Sequence, residues 1–119
     1  MNRISLSEKF KLFSETWTPK IIGEIDNYDI KIAKIEGAFE WHSHAHADEF
    51  FFVVSGTLRM KYRDREELLG PGDMIVVPRG VEHLPIAEPT AEIMMIEAKG
   101  TVNTGDTGGG RTVTDLESI

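Results

Sequence analysis

Three histidines at alternate positions, His42, His44 and His46, are the residues of this sequence best placed to do chemistry. They lie in the stretch EWHSHAHADEF (40–50), and the acid Glu49 follows them. Alternation within a strand would send the three rings to one face. The fourth histidine of the chain, His83, enters a separate strand that can lie beside the first. Neutral imidazole binds zinc, iron, nickel and copper, and a carboxylate adds manganese, so the pattern indicates a metal site.

The membership of Glu49 in that site depends on the local backbone. Glu49 lies seven residues after His42, so uninterrupted alternation would place it on the opposite face. A turn or bulge within residues 45–48 must reset the register if Glu49 is to join the histidines. A second register, with His44 and His46 as the paired ligands, leaves only two residues before Glu49.

The surrounding sequence predicts strands after one short helix. Ser5 and Glu8 have the spacing of a capping box in SLSEKFKLFS, which predicts an amphipathic helix too short to be stable unless it docks. From Pro19 onward, short apolar runs are separated by turn signals at the spacing of an all-β sandwich or barrel. The run EFFFVV is apolar on both faces, which predicts a strand buried in the fold or covered by a partner.

Composition narrows the function classes. A length of 119 residues predicts one domain, and a net charge of -7 argues against nucleic acid or an anionic membrane as a partner. The chain has no cysteine, which excludes thiolate catalysis and cysteine-ligated metal. The sequence shows no apolar run typical of a signal peptide or a transmembrane helix, so we expect a soluble cytoplasmic protein.

Two motifs give the chain a resemblance to the cupin superfamily. The first reads Gly37, four residues, His42-Ser43-His44, four residues, Glu49, six residues and Gly56. The second reads Gly72, DMIVV, Pro78-Arg79-Gly80, VE, His83, LPI and Ala87. Gly37 is one residue closer to the first histidine than is usual, and Ala87 replaces an asparagine that is not a metal ligand in the family. The resemblance covers residues 30–97.

The resemblance implies both a fold and a ligand set. It implies a double-stranded β-helix (jelly-roll) barrel, which we expect at residues 19–99. The sequence pattern itself adds a helix or arm at 1–18 before the barrel and a Gly/Thr-rich tail at 100–119 after it. The implied metal ligands are His42, His44, Glu49 and His83, which would hold a divalent transition metal (Fe, Mn, Ni or Zn) inside the barrel mouth. His46 is then an extra histidine near the site, with a possible acid–base role in catalysis.

The function that follows is a metal-binding protein for a small-molecule ligand. Iron or nickel would support dioxygenase-type cleavage, whereas zinc or manganese would support isomerisation, epimerisation or decarboxylation. The alternative is a non-catalytic module that binds or senses a small ligand, because this fold serves very different activities. Small cupins commonly pair, and a homodimer would cover the apolar faces of EFFFVV and the helix.

Overall fold

The computed structural model describes residues 1–105 and 112–119, and residues 106–111 of the predicted tail lie outside the described part. Its elements, in chain order, are α1 (Leu6–Phe10), β1 (Lys20–Ile25), β2 (Tyr28–Ala38), β3 (Glu49–Lys61), β4 (Glu66–Leu69), β5 (Met74–Val77) and β6 (Leu84–Ala98). The all-β class and the short N-terminal helix are therefore confirmed. No helix in the described ranges is long and apolar enough to cross a membrane.

All strand pairs are antiparallel, and the sheet order is β1-β2-β6-β3-β4. The two long strands β3 and β6 pair along most of their length, and the other edge of β3 is shared by β5 and β4. Bulges interrupt the register between Val53 and Ser55 and between Gly56 and Leu58. Such bulges bend a strand and increase its twist, which lets the sheet curl around its interior.

The sheet has an apolar cluster on each face. The interior cluster includes Phe51, Val53, Leu58, Met60 and Ile93, all of them nearly inaccessible to solvent. Alternation accounts for this set on either side of the bulges, which shift the inward positions of β3 from Phe51 and Val53 to Leu58 and Met60.

The outer face of the sheet is covered by the N-terminal segment of the same chain. Phe10 and Phe13 pack there against Ile22 and Ile32, and the C-terminal Ile119 adds to the contact. This cover explains part of the two-sided apolar pattern of EFFFVV, since its residue Val54 joins the outer cluster. Homodimer formation stays a prediction.

Candidate metal centre

His42 and His83 come from the two sequence motifs and face each other across a backbone pair. The amide of His42 donates to the carbonyl of His83 at 3.1 Å, and the amide of His83 donates back at 2.9 Å. This two-way exchange is the hydrogen-bonded pair of an antiparallel ladder, which places both side chains on the same face. Backbone pairing therefore joins the two motifs at the site.

The predicted break in register after His44 is present. Ala45 and His46 form a turn, and β3 begins at Glu49, which pairs with Val77. The Gly80 amide donates to the His44 carbonyl at 2.8 Å and holds the two loops together. The turn lets Glu49 point to the same side as His42 and His44.

The four residues predicted as ligands lie together in the structure. One ligand atom from each of His42, His44, Glu49 and His83 lies within 4.8 Å of the others, and all four residues are buried. Two donors on opposite sides of one ion, each at about 2.1 Å from it, would lie about 4.2 Å apart. The cluster therefore has nearly the dimensions of a coordination shell.

The hydrogen bonds of the rings determine which nitrogens carry protons. His42 Nδ1 lies 2.9 Å from the Glu40 carbonyl, and His83 Nδ1 lies 2.9 Å from the Val81 carbonyl. A carbonyl oxygen can only accept, so both Nδ1 atoms carry hydrogen and, in the neutral rings, both Nε2 atoms carry lone pairs. Outer hydrogen bonds of this kind orient metal-binding histidines.

The inner atoms of the cluster fit a cation. In its neutral form, His83 directs the Nε2 lone pair at Glu49 Oε1, only 3.0 Å away. His44 Nε2 lies 3.3 Å from the same oxygen and has no hydrogen-bond partner among the described residues, although it is buried. Acceptors that converge on one point need a positive charge between them, and either a shared proton or a metal ion supplies it.

The protonation states also suit metal binding. Burial, followed by the nearby charge of His83, lowers the pKa of His42 to about 4, so this ring is neutral at pH 7. Burial alone would raise the pKa of Glu49, but hydrogen bonds from the rings of His44 and His83, when their facing nitrogens carry a proton, hold it below the usual value. A bound metal ion would take the place of that proton. A neutral imidazole and an ionised carboxylate are the forms that bind a metal.

His46 does not join the cluster. Its side chain is exposed on the turn after His44, so the expectation that alternation brings three histidines to one face is wrong for this residue. The turn ends the alternation. It therefore brings Glu49 into the cluster and leaves His46 outside it. An acid–base role for His46 stays a prediction.

A small cavity adjoins the cluster inside the barrel. Its free volume is about 40 Å³, enough for about three water-sized groups. Its wall includes His42 and Glu49 and is otherwise mainly apolar, with contributions from Trp17, Pro19, Ala33, Ile35, Phe39, Phe51, Pro85, Ile93 and Met95. The site can therefore hold a small ligand next to a bound ion.

The aromatic part of this wall reaches the cluster through ring contacts. Trp17 stacks on Phe39 at 4.7 Å between ring centroids, and Phe39 meets the edge of His42 at 5.4 Å. The Trp17 indole also donates to the Glu36 carbonyl at 2.9 Å. The segment before β1 thus contributes directly to the cavity, which the sequence had not indicated.

A second buried acid, Glu97, lines the cavity, and it was not predicted from the sequence either. Its Oε1 lies 3.8 Å from the buried Lys31 Nζ, and its Oε2 has no hydrogen-bond partner among the described residues. Burial, and then the negative charge of Glu49, hold the pKa of Glu97 well above its usual value. A charged residue at an inward position of β6, two after Met95, was the available signal.

The segment after β6 lies over the histidines. Thr104 is completely buried, and Asn103 lines the cavity and accepts a hydrogen bond from the Val113 amide at 2.8 Å. A Cβ added to Gly105 would lie 2.0 Å from the Ser43 carbonyl oxygen and 3.2 Å from His44 Nδ1. This segment therefore closes one side of the site.

Comparisons with known proteins agree with this geometry. The family model described as "Cupin domain" (Cupin_2) matches residues 29–98. The uncharacterized protein YdbB of Bacillus subtilis (strain 168) is 32% identical over 63 residues, which are 52% of this chain and 56% of that protein. The match thus spans little more than half the length of this curated relative.

Two crystal structures extend the similarity over most of the chain. A cupin-2 domain containing protein from Shewanella frigidimarina NCIMB 400 is 45% identical, with a TM-score of 0.80 over 81% of this chain and 94% of that one. Protein NMB1881 from Neisseria meningitidis is 28% identical, with a TM-score of 0.75 over 82% of this chain and 100% of that one. These matches confirm the expected jelly-roll barrel.

Proposed function

Because this chain belongs to the Cupin_2 domain family, we propose that it binds one divalent transition-metal ion and a small molecule beside it. The proposed ligands of the ion are His42, His44, Glu49 and His83. The observation that carries the proposal is the 3.0 Å contact of His83 Nε2 with Glu49 Oε1, since Nδ1 of this ring already donates to Val81. In the neutral ring, two acceptor atoms at that distance are compatible when a cation lies between them.

Three imidazoles and one carboxylate suit Fe, Mn, Ni or Zn, and they leave positions of a six-coordinate ion open. Such an ion, when bound, supplies Lewis-acid activation or redox chemistry with dioxygen. The protein's own contribution is the environment of the reacting groups. Trp17, Phe39 and Phe51 exclude water from one side of the cavity, and Glu40 and Val81 orient the rings of His42 and His83.

We propose dioxygenase-type or isomerase-type chemistry at this site. His46 lies outside the cavity wall, so an acid–base role for it requires a substrate that extends to the exposed turn. Glu97 is the acid that lines the cavity beyond the cluster itself. The alternative is a non-catalytic binding or sensor protein, which the free volume of about 40 Å³ favours because it leaves little room for a substrate and a cosubstrate together.

Metal content of single variants tests the ligand assignment. We expect about one transition-metal ion per chain in protein purified without chelators. Alanine at His42, His44, Glu49 or His83 should lower metal affinity by more than the roughly 10–100-fold that loss of an outer hydrogen-bond partner costs. His46→Ala is the matched control, and it should retain the metal.

Elemental analysis measures the metal content of each variant, and a competition titration against a chelator measures its metal affinity. Equal loss of metal in His46→Ala and His44→Ala would contradict the ligand set. If the wild type holds no metal even after reloading, the proposed metal site is wrong and the non-catalytic binding protein is the remaining alternative. Turnover of a substrate by the loaded protein would decide between the enzyme and the binder.

A further inference from the structure

The wall of the cavity holds few polar groups beyond the metal cluster. Apart from His42 and Glu49, the polar side chains that line it within the described residues are Glu97 and Asn103. The Asn103 side chain already accepts a hydrogen bond from the Val113 amide. Glu97 is therefore the polar group best placed to meet a ligand.

Glu97 points into the barrel next to the cluster. It lies one residue beyond Ile96, which pairs with Phe50, and Glu49 lies one residue beyond Phe50 on the facing strand. In an antiparallel ladder this register puts Glu49 and Glu97 side by side on the inner face. Lys31 comes from the other neighbouring strand and is itself only 3% exposed.

The Glu97 carboxyl has two neighbours in the protein, yet no donor reaches its Oε2. Oε1 faces Lys31 Nζ at 3.8 Å, and the carboxyl lies within hydrogen-bond reach of Glu49, to which it can donate when it is protonated. Oε2 accepts no hydrogen bond from residues 1–105 and 112–119, although Glu97 is only 3% exposed. Buried polar atoms are almost always paired, and an unpaired one on a cavity wall indicates a group that a ligand completes.

We propose that Glu97 is the specificity-determining residue of the cavity and hydrogen bonds a hydroxyl group of a small, neutral and otherwise apolar ligand. This inference rests on the proposed function in one respect, that the cavity is the ligand site. A hydroxyl group can donate or accept, so it complements the Glu97 carboxyl in either protonation state. A carboxylate at the same place would face both Glu49 and Glu97.

The apolar walls determine the rest of the ligand. Trp17 and Phe39 form a stacked aromatic pair on one side, and Phe51 lies on the interior face of β3. Such walls favour a hydrocarbon body and give no hydrogen bond to further polar substituents. The free volume of about 40 Å³ limits that body to a few carbon atoms, so short-chain alcohols are the chemical class that matches this arrangement.

Two fluorinated probes of nearly equal size test the proposal. 2-Fluoroethanol carries the hydroxyl group, and 1,2-difluoroethane replaces it with fluorine. Fluorine NMR titration of zinc-loaded wild type should show about tenfold tighter binding of 2-fluoroethanol, the ratio expected for one well-formed buried hydrogen bond. The Glu97→Met variant should bind both probes with affinities equal within about twofold.

Control variants separate Glu97 from its surroundings. Met94→Leu changes a residue of β6 that packs against the outer cluster, away from the cavity, and should keep the preference for 2-fluoroethanol. If Glu97→Met does not fold, Lys31→Met/Glu97→Met removes the buried cation together with its partner, and it should also lose the preference. Zinc is measured in every sample, so failure of the metal site is scored separately from failure of this inference.

Two results would overturn the role of Glu97. One is the same affinity of wild type for both probes, or binding of neither, in a sample that holds one zinc per chain. The other is a preference that persists without Glu97, which would mean that the hydroxyl group binds the ion. Loss of zinc with the preference intact would overturn the proposed metal site and leave the role of Glu97 standing.

Discussion

Single residues of the C-terminal segment reach the loop that carries the proposed ligands. Gly105 has a φ of +58°, and a Cβ there would lie 2.0 Å from the Ser43 carbonyl oxygen, a backbone atom that cannot rotate away. Gly100 also has a positive φ, of +85°, but a Cβ at that position meets no atom within 4 Å. The two glycines thus share a backbone conformation and differ in what surrounds them.

Gly105→Ala should therefore weaken metal binding more than Gly100→Ala does. Both changes introduce strain of about 1–2 kcal/mol at a left-handed residue. Only Gly105→Ala displaces the Ser43–His44 backbone, and we expect a loss of zinc affinity of about tenfold or more, comparable with loss of an outer partner. A chelator competition titration measures both affinities. Equal affinities in the two variants would show that the segment does not position His44.

At the scale of elements, the N-terminal segment shows why a five-residue helix persists. The predicted cap is present, because the Glu8 amide donates to Ser5 Oγ at 3.3 Å. A helix of this length is unstable alone, so its stability must come from docking. Phe10 supplies the docking contact: it is 3% exposed and lies 6.1 Å from the ring centroid of Phe13.

Phe10→Ala should destabilise the protein by about 3–5 kcal/mol, the usual cost of deleting a buried aromatic side chain. Ser5→Ala removes only the cap and should cost about 1 kcal/mol. Leu12→Ala is the surface control, since Leu12 is 64% exposed, and it should change the free energy of unfolding by less than about 0.5 kcal/mol. Urea unfolding measures all three. A Phe10→Ala cost no larger than that of Ser5→Ala would mean that the segment is held elsewhere.

The strands could be predicted because their signals are local, and the ligand set because its two motifs resemble those of a family. In TLRMKYR (57–63), alternation predicts Leu58, Met60 and Tyr62 on one face, and these residues are buried. Ser55-Gly56 is typical of a turn in the sequence, whereas β3 runs through it as one strand of 13 residues with bulges. Gly56 makes this possible, since a Cβ there would lie 2.2 Å from the Thr90 carbonyl oxygen.

The contribution of Glu97 could not be predicted, because it depends on which strands are neighbours. Alternation alone puts Glu97 on the same face as Met95, but the sequence does not specify that β6 lies between β2 and β3. Only that strand order brings Lys31 and Glu49 to either side of Glu97. His46 shows the opposite case, in which a signal in the sequence is misleading. Its alternation with His44 predicts a place in the site, but a turn at Ala45 and His46 directs it away.

For the whole molecule, the buried charges link folding to pH. The chain carries a net charge of -7 and places two acids, Glu49 and Glu97, side by side in its interior. Directly opposed like charges destabilise a sheet, and the raised pKa of Glu97 shows that the fold favours its protonated form. In the unfolded chain the same carboxyl titrates near its usual value of 4.5.

The sign of the effect follows from proton binding. Between pH 4.5 and the raised pKa of Glu97, the folded state holds a proton on this residue and the unfolded state does not. The contribution of Glu97 to the free energy of unfolding therefore falls as pH rises through that window, by about 1.4 kcal/mol per pH unit. His42 acts in the opposite direction, because its lowered pKa of about 4 makes acidification below pH 6.5 destabilising.

Glu97→Gln isolates the first effect, because the amide occupies nearly the same volume and cannot ionise. We expect the metal-free variant to be more stable than metal-free wild type at pH 7, with an advantage that shrinks by about 1.4 kcal/mol per pH unit toward pH 4.5. Denaturant unfolding of chelator-treated protein from pH 4.5 to 7 measures the difference, in which the contribution of His42 cancels. A difference independent of pH would show that Glu97 is ionised in the folded protein, so that Lys31 stabilises its charge more than burial and Glu49 oppose it.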